Sequence, residues 1–141
     1  MRSLVLTFAL IAAVGVSGCY VRLTGSKSDA LKLATAMHNR MSQADLAGIY
    51  NNADDRYRKA ITREKSDSLF SAIAHKLGAP QDCKQGNINM QVATWGTTLT
   101  SVCQTRFSKN ATAVETFTWA KSGDQYRLLG YHINSDDLME R

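Results

Sequence analysis

The hydrophobic period of the chain changes once, at Pro80, the only proline in 141 residues. Before it, apolar residues recur at spacings of three and four. After it they alternate, in segments rich in Thr, Val, Phe, Trp and Tyr. The first spacing draws a stripe along a helix and the second fills one face of a strand. Helices followed by strands give an α+β domain, with N-terminal helices packed on a four-stranded antiparallel meander.

Ser28 or Asp29 can accept amide hydrogen bonds at the start of a first helix, whose stripe runs through Leu31, Ala34, Met37, His38 and Met41. Ser42-Gln43-Ala44-Asp45 interrupts the stripe and caps a short second helix through Leu46, Ile49 and Tyr50, with Asn51-Asn52 as its stop. Asp54-Asp55 reads as a solvated turn or a helix start. Thr62 is the N-cap of the clearest helix, in which Leu69, Phe70, Ile73 and Leu77 form the stripe and Gly78-Ala79-Pro80 the end. Strands are expected near 87–95, 98–108, 111–120 and 125–134. A last loop of Lys121 to Asp124 pairs Ala120 with Gln125. One face then carries Trp119, Phe117, Glu115 and Ala113 beside Tyr126, Leu128, Gly130 and His132, and this aromatic face receives the helices. The other carries Val114, Thr116, Thr118, Arg127, Leu129, Tyr131 and Ile133, free for solvent or for a partner.

Val16-Ser17-Gly18-Cys19 closes an apolar run that starts at Leu4, 13 residues without a charge behind Arg2. That length suits a secretory leader, about 7–15 residues, whereas a membrane-spanning helix needs roughly 17–25. The tetrapeptide resembles the lipobox of bacterial lipoproteins. The resemblance implies cleavage before Cys19, a lipid on its sulfur and a further acyl chain, such as palmitate, on its new amino group. The expected organisation is a signal peptide over 1–18, a lipidated cysteine and tether over 19–27, and a single α+β domain over 28–141. Tyr20 stands where such lipoproteins carry Asp when retained at the inner membrane. The expected location is therefore the outer membrane, facing the periplasm. The expected partner is the bilayer, through Cys19.

Loss of the leader leaves 16 Lys and Arg against 12 Asp and Glu, and the cations are scattered. Even the run Arg56-Tyr57-Arg58-Lys59 reads as a solvated face. An exported protein with such a surface has no expected nucleic-acid partner.

Cys83 and Cys103 remain as an even pair in an exported chain, which points to a disulfide. If Trp95, Gly96 and Thr97 close the first hairpin, Cys103 faces Asn89. Cys83 is then about 20 Å further along at 3.3 Å per residue, and the bond requires residues 81–86 to fold back across the sheet. The next hairpin has two registers. A two-residue Lys109-Asn110 loop puts Arg106 on the face of Glu115, and a three-residue loop including Ala111 brings Cys103 opposite Phe117.

Acid–base chemistry needs carboxylates or imidazoles in a dry cleft. Glu115 and His132, on the expected aromatic face, are the one pair with that potential, as in a small isomerase or dehydratase. A Glu115 ion pair with Arg106 or Arg127 competes with that reading, and His38 reads as a packing residue. No nucleophile elbow, phosphate loop, CxxC or HExxH motif is present. No metal site or cofactor is expected. The expected function is a non-catalytic binding or interaction module for an envelope protein or a small apolar ligand, with Arg127 and Tyr131 as candidate binding residues on one face of the last strand.

The segments Ala113 to Trp119 and Tyr126 to Asn134, behind Thr62-Arg63-Glu64 and Leu77-Gly78, resemble small secreted bacterial domains of the nuclear transport factor 2-like, cystatin-like fold. They are similar in particular to the domain-of-unknown-function family 4019, although Tyr126 replaces the Trp expected there. The resemblance covers about residues 28 to 138 and implies a fold. It carries no catalytic signature.

Lipidation at Cys19 is directly testable. Intact mass spectrometry of the membrane fraction is expected to show a mature chain carrying the lipid increment, and Cys19→Ala an uncleaved or mislocalised protein. A mature chain with a free Cys19 thiol in that fraction would contradict the lipobox reading.

Overall fold

The computed structural model describes residues 26–139; the expected leader, Cys19 and most of the expected tether lie outside them. The described residues form five helices and four strands in an α+β arrangement. α1 (Ser26–Ser42) buries Ala34, Met37, His38 and Met41 of the expected stripe, but its first turn buries Ala30 and leaves Leu31 45% exposed. α2 (Leu46–Asn51) starts at Asp45, whose side chain accepts from the Gly48 amide and from Arg40 at 2.6 Å. A Cβ on Gly48 would fall 2.0 Å from an Asp45 carboxylate oxygen and 2.1 Å from Arg40 Nη1, so a larger residue there would have to displace this ion pair.

The reading of Asp54-Asp55 as a turn or helix start resolves into a helix start. Asp54 caps α3 (Asp55–Ala60) through the Arg56 amide. α4 (Arg63–Leu77) begins at Thr62, which accepts from the Lys65 amide, and buries Ser66, Phe70, Ile73 and Leu77. It stops at Gly78, whose φ of 87° suits a residue without a Cβ.

β1 (Pro80–Ala93), β2 (Gly96–Phe107), β3 (Thr112–Ser122) and β4 (Gln125–Asn134) make one antiparallel sheet in sequence order, and α5 (Asp136–Met139) follows. β1 starts seven residues earlier than the alternating pattern predicts, because Pro80 heads the strand instead of preceding it. The core lies between one face of the sheet and the helices. Leu99, Cys103 and Phe107 of β2, Phe117 and Trp119 of β3 and Leu128 of β4 meet the buried helical stripes there. Each such large side chain contributes about 1.5–3 kcal/mol on burial.

The hairpin registers differ from those expected. The first turn is Thr94-Trp95, with Ala93 opposite Gly96, and a bulge at Gly86-Asn87 shifts the pairing once more. Cys103 therefore faces Gln85 and Cys83 faces Thr105. The two cysteines are diagonal neighbours on adjacent strands and form a disulfide, with Cα atoms 5.2 Å apart. No folding back across the sheet is needed. The second loop is Ser108-Lys109-Asn110, closed by a Phe107 to Ala111 hydrogen bond, with Asn110 at φ 57°. A three-residue loop ending in a left-handed residue favours Asn at that place. Cys103 then pairs with Glu115, which neither expected register gave.

The third hairpin turns at Gly123-Asp124, with Ser122 opposite Gln125. This shift by two residues keeps every side chain on its expected face as far as Leu128. There the register slips: Trp119 pairs with Leu128 but Thr118 with Gly130, leaving Leu129 as an extra residue in β4. One extra residue moves all that follow to the opposite face. Tyr131 now lies opposite Phe117 and Ile133 opposite Glu115, while Gly130 and His132 pair with the outward Thr118 and Thr116.

The disulfide closes a loop across 20 positions, so the double substitution Cys83→Ala/Cys103→Ala is expected to lower the unfolding free energy by about 3 kcal/mol. Urea unfolding with and without the substitutions measures this. A loss below about 1 kcal/mol would mean that the two strands hold their register without the bond.

Candidate functional site

The bulge at Leu129 decides where the chemistry sits. It sends Tyr131 inward, toward a carboxylate that the sheet alone would leave without enough partners. Glu115 is fully buried. Its Oε1 accepts from the Tyr131 hydroxyl at 2.6 Å, and its Oε2 from the Thr105 hydroxyl at 2.5 Å. His38 Nε2 on α1 lies 2.6 Å from the same Oε2, so that contact holds one proton between imidazole and carboxylate. Three elements thus converge on a residue of a fourth.

An aromatic shell closes the cluster. Phe117 meets the His38 ring edge-on at 5.8 Å, and Phe70 and Phe117 flank Tyr131 at 5.1 and 5.3 Å. Burial foremost, then the charge of Glu115 and the hydrogen bond to it, push the Tyr131 phenol well above 10.0. Tyr131 therefore stays a neutral donor. Burial also raises Tyr57 nearby, against the hydrogen bond it shares with Ser66 at 3.0 Å.

These positions correct several expectations. His132 is exposed on the opposite face from Glu115, so the two make no acid–base pair. Arg106 and Arg127 do not pair with Glu115 either. Arg106 bonds Asp82 across β1 and β2, and Arg127 adds its charge to the field around Asp54. His38 is more than packing, since it supplies the nitrogen that contacts Glu115. Arg127 and Tyr131 do not share an exposed face, because Tyr131 turns into the core. The signal for the cluster in the sequence was His38 on an apolar stripe together with Glu115 at an inward strand position. Each is a polar residue that burial obliges to find a partner.

A second feature is open. α1, α2 and the paired ends of β3 and β4 border a cleft of about 230 Å³. Leu33, Met37, Ile49, Trp119 and Leu128 form apolar wall, and Arg40 and Arg127 lie among its polar positions. Arg40 is held by Asp45. Arg127 is exposed. The Asp54 carboxyl beside it is held below its ordinary value, first by the hydrogen bond from Arg56, against partial burial, with the charge of Arg127 adding to the pull. The Trp119 indole nitrogen is buried and has no hydrogen-bond partner. Among the described residues no three His, Cys, Asp or Glu side chains are grouped to hold a metal ion.

No family model and no curated protein matches the sequence. Among solved structures, the chain is similar to the Bdellovibrio bacteriovorus protein Bd1075, with a TM-score of 0.50 and 12% identity over 77% of this chain. The match spans 40% of that chain, so the present one corresponds to well under half of its length. At this identity the likeness is one of fold, an α+β sheet domain.

Tyr131 makes stability depend on alkaline pH. Its folded state keeps the phenolic proton longer than the unfolded chain, so its contribution is complete below about pH 10 and is lost as pH rises beyond it. Tyr57 acts in the same direction. Tyr131→Phe is expected to cost about 1–3 kcal/mol at neutral pH, because Glu115 loses a donor, and to flatten the alkaline fall. Urea unfolding of both proteins on either side of that pH checks this. Equal slopes above it would place the phenol in a wet site.

Proposed function

We propose that the chain is a lipid-anchored protein of the bacterial envelope whose folded domain is a non-catalytic binding module, with the cleft between α1, α2 and β4 as its site. The observation that carries this reading is the closure around Glu115. The buried carboxylate is engaged by three side chains of the fold itself, whereas general acid–base work needs a titratable group that can reach a substrate. The open cleft has the other character, with apolar walls and an arginine at its edge. It suits a small amphipathic ligand with an apolar body and an anionic group.

The anchor part of the proposal rests on Val16-Ser17-Gly18-Cys19 and the apolar run before it, with the outer membrane as the location. Among the described residues no helix is long and apolar enough to cross a membrane. A lipid on Cys19 would hold the domain at the bilayer through a tether of a few residues. The likeness to secreted nuclear transport factor 2-like domains belongs to the same reading and agrees with the helices-on-meander arrangement.

The mature protein is expected to bind the anionic fluorophore 1-anilinonaphthalene-8-sulfonate saturably. Ala36 borders the cleft on the exposed side of α1, so Ala36→Phe fills it without disturbing the core. Both Ala36→Phe and Arg127→Glu are expected to weaken binding about tenfold, or 1.4 kcal/mol. Fluorescence titration measures this. Binding that neither substitution alters would remove the cleft from the proposal.

A further inference from the structure

The largest aromatic side chain of the first hairpin is where folding alone gives it least to do. Trp95 occupies the turn between β1 and β2 and is 59% exposed, and Val92 beside it on β1 is 78% exposed. Two-residue hairpin turns favour Asn, Asp and Gly, so a tryptophan there answers no need of the turn. The Arg56 guanidinium sits over the indole ring, 5.9 Å from its centre, which covers one face and leaves the other side open.

The same end of the sheet carries further cations. The meander brings the β3–β4 turn, with Lys121 beside it, to the end where Trp95 lies. Lys59 follows Arg56 by one turn of α3, on the same side of that helix. Arg58 lies in the same short helix. The carboxylates on these elements are Asp54 and Asp55, which are tied to Arg56 and Arg58, and Asp124 at the turn. On these elements Lys59 and Lys121 therefore stand against Asp124 once the two ion pairs are set aside, beside an exposed indole and valine.

We propose that this end of the domain, with Trp95 at its tip, rests in the headgroup layer of the bilayer that anchors the chain. An indole with an apolar body and a polar N–H is favoured at that depth, and the cations beside it meet anionic headgroups. The inference rests on the lipid-anchor reading, which also supplies the occupant. Ser26 is only seven positions after Cys19, a reach of at most roughly 25 Å. A domain held that closely meets the bilayer surface far more often than any soluble partner. The contact orients the domain and leaves the cleft bordered by Arg127 on a fixed side of the membrane.

The test uses the mature lipidated protein in phosphatidylethanolamine–phosphatidylglycerol vesicles, with and without lipids brominated near the headgroup. The chain has two tryptophans, and Trp119 is buried, so a comparison with Trp95→Tyr isolates the emission of Trp95. Vesicle binding is expected to shift that emission to the blue, and brominated lipid to quench it roughly twofold or more. Trp95→Tyr, at an exposed position, keeps the fold and removes the quenched component. Flotation read in parallel separates the premises. A protein that fails to float overturns the anchor and this inference together. A protein that floats while Trp95 stays water-like and unquenched overturns the bilayer contact alone. Shielding of Trp95 in whole envelopes but not in vesicles would assign the tip to a protein and also overturn it.

Discussion

A carboxylate in the middle of an apolar core must be satisfied by its surroundings, and in this domain four elements meet to satisfy one. Glu115 projects from β3 under α1, with no exposure to solvent. His38 reaches it from α1, Thr105 from β2 and Tyr131 from β4. Removing one partner of a buried pair typically costs about 3–5 kcal/mol, whereas replacing the whole group with apolar residues is often neutral. The value of such a cluster lies in what it forbids. A helix shifted by one turn or a strand slipped by one residue would leave the carboxylate unpaired.

That constraint gives the bulges at Leu129 and at Gly86-Asn87 a shared meaning. Without the extra Leu129, Tyr131 would face outward and His132 inward, and the second oxygen of Glu115 would lose its phenol. Without the shift at Gly86-Asn87, Cys83 would fall on the opposite face from Cys103. Each bulge restores the inward position of one side chain whose partner lies on the next strand. Disulfide and acid cluster are neighbours as well, because Cys103 pairs with Glu115 and Cys83 with Thr105. The middle of the sheet is fixed covalently on one side and by hydrogen bonds on the other.

The change of period at Pro80 was enough to read the α+β class, and local chemistry was enough for the caps. Thr62, Asp45 and the stop at Gly78 stand where short-range rules put them. Of α3 only the start was offered, as one of two readings of Asp54-Asp55, and α5 escaped altogether, since four residues show hardly more than one turn of periodicity. Faces were legible as far as Leu128 and illegible after it. A bulge is set by what a strand must bring inward across the sheet, and β4 itself carries no mark of that. The same limit hid the cluster: His38 and Glu115 are 77 positions apart, and only the packed structure joins them. The sequence places Trp95 at the first hairpin, but the exposure of its indole beside Val92 shows only in the packed structure.

If Glu115 serves the fold, the domain acts through its surfaces, as a module held near a membrane with an open cleft and an aromatic tip. If instead Glu115 were a reactive group, its bond to His38 would be incidental. A double-mutant cycle on unfolding free energy, with His38→Ala, Glu115→Ala and both together, separates these. A structural pair predicts a coupling energy of about 1.5–3 kcal/mol, so that the second substitution costs much less once the first is made. Costs that add to within about 0.5 kcal/mol would contradict the structural role and return Glu115 to the list of reactive groups.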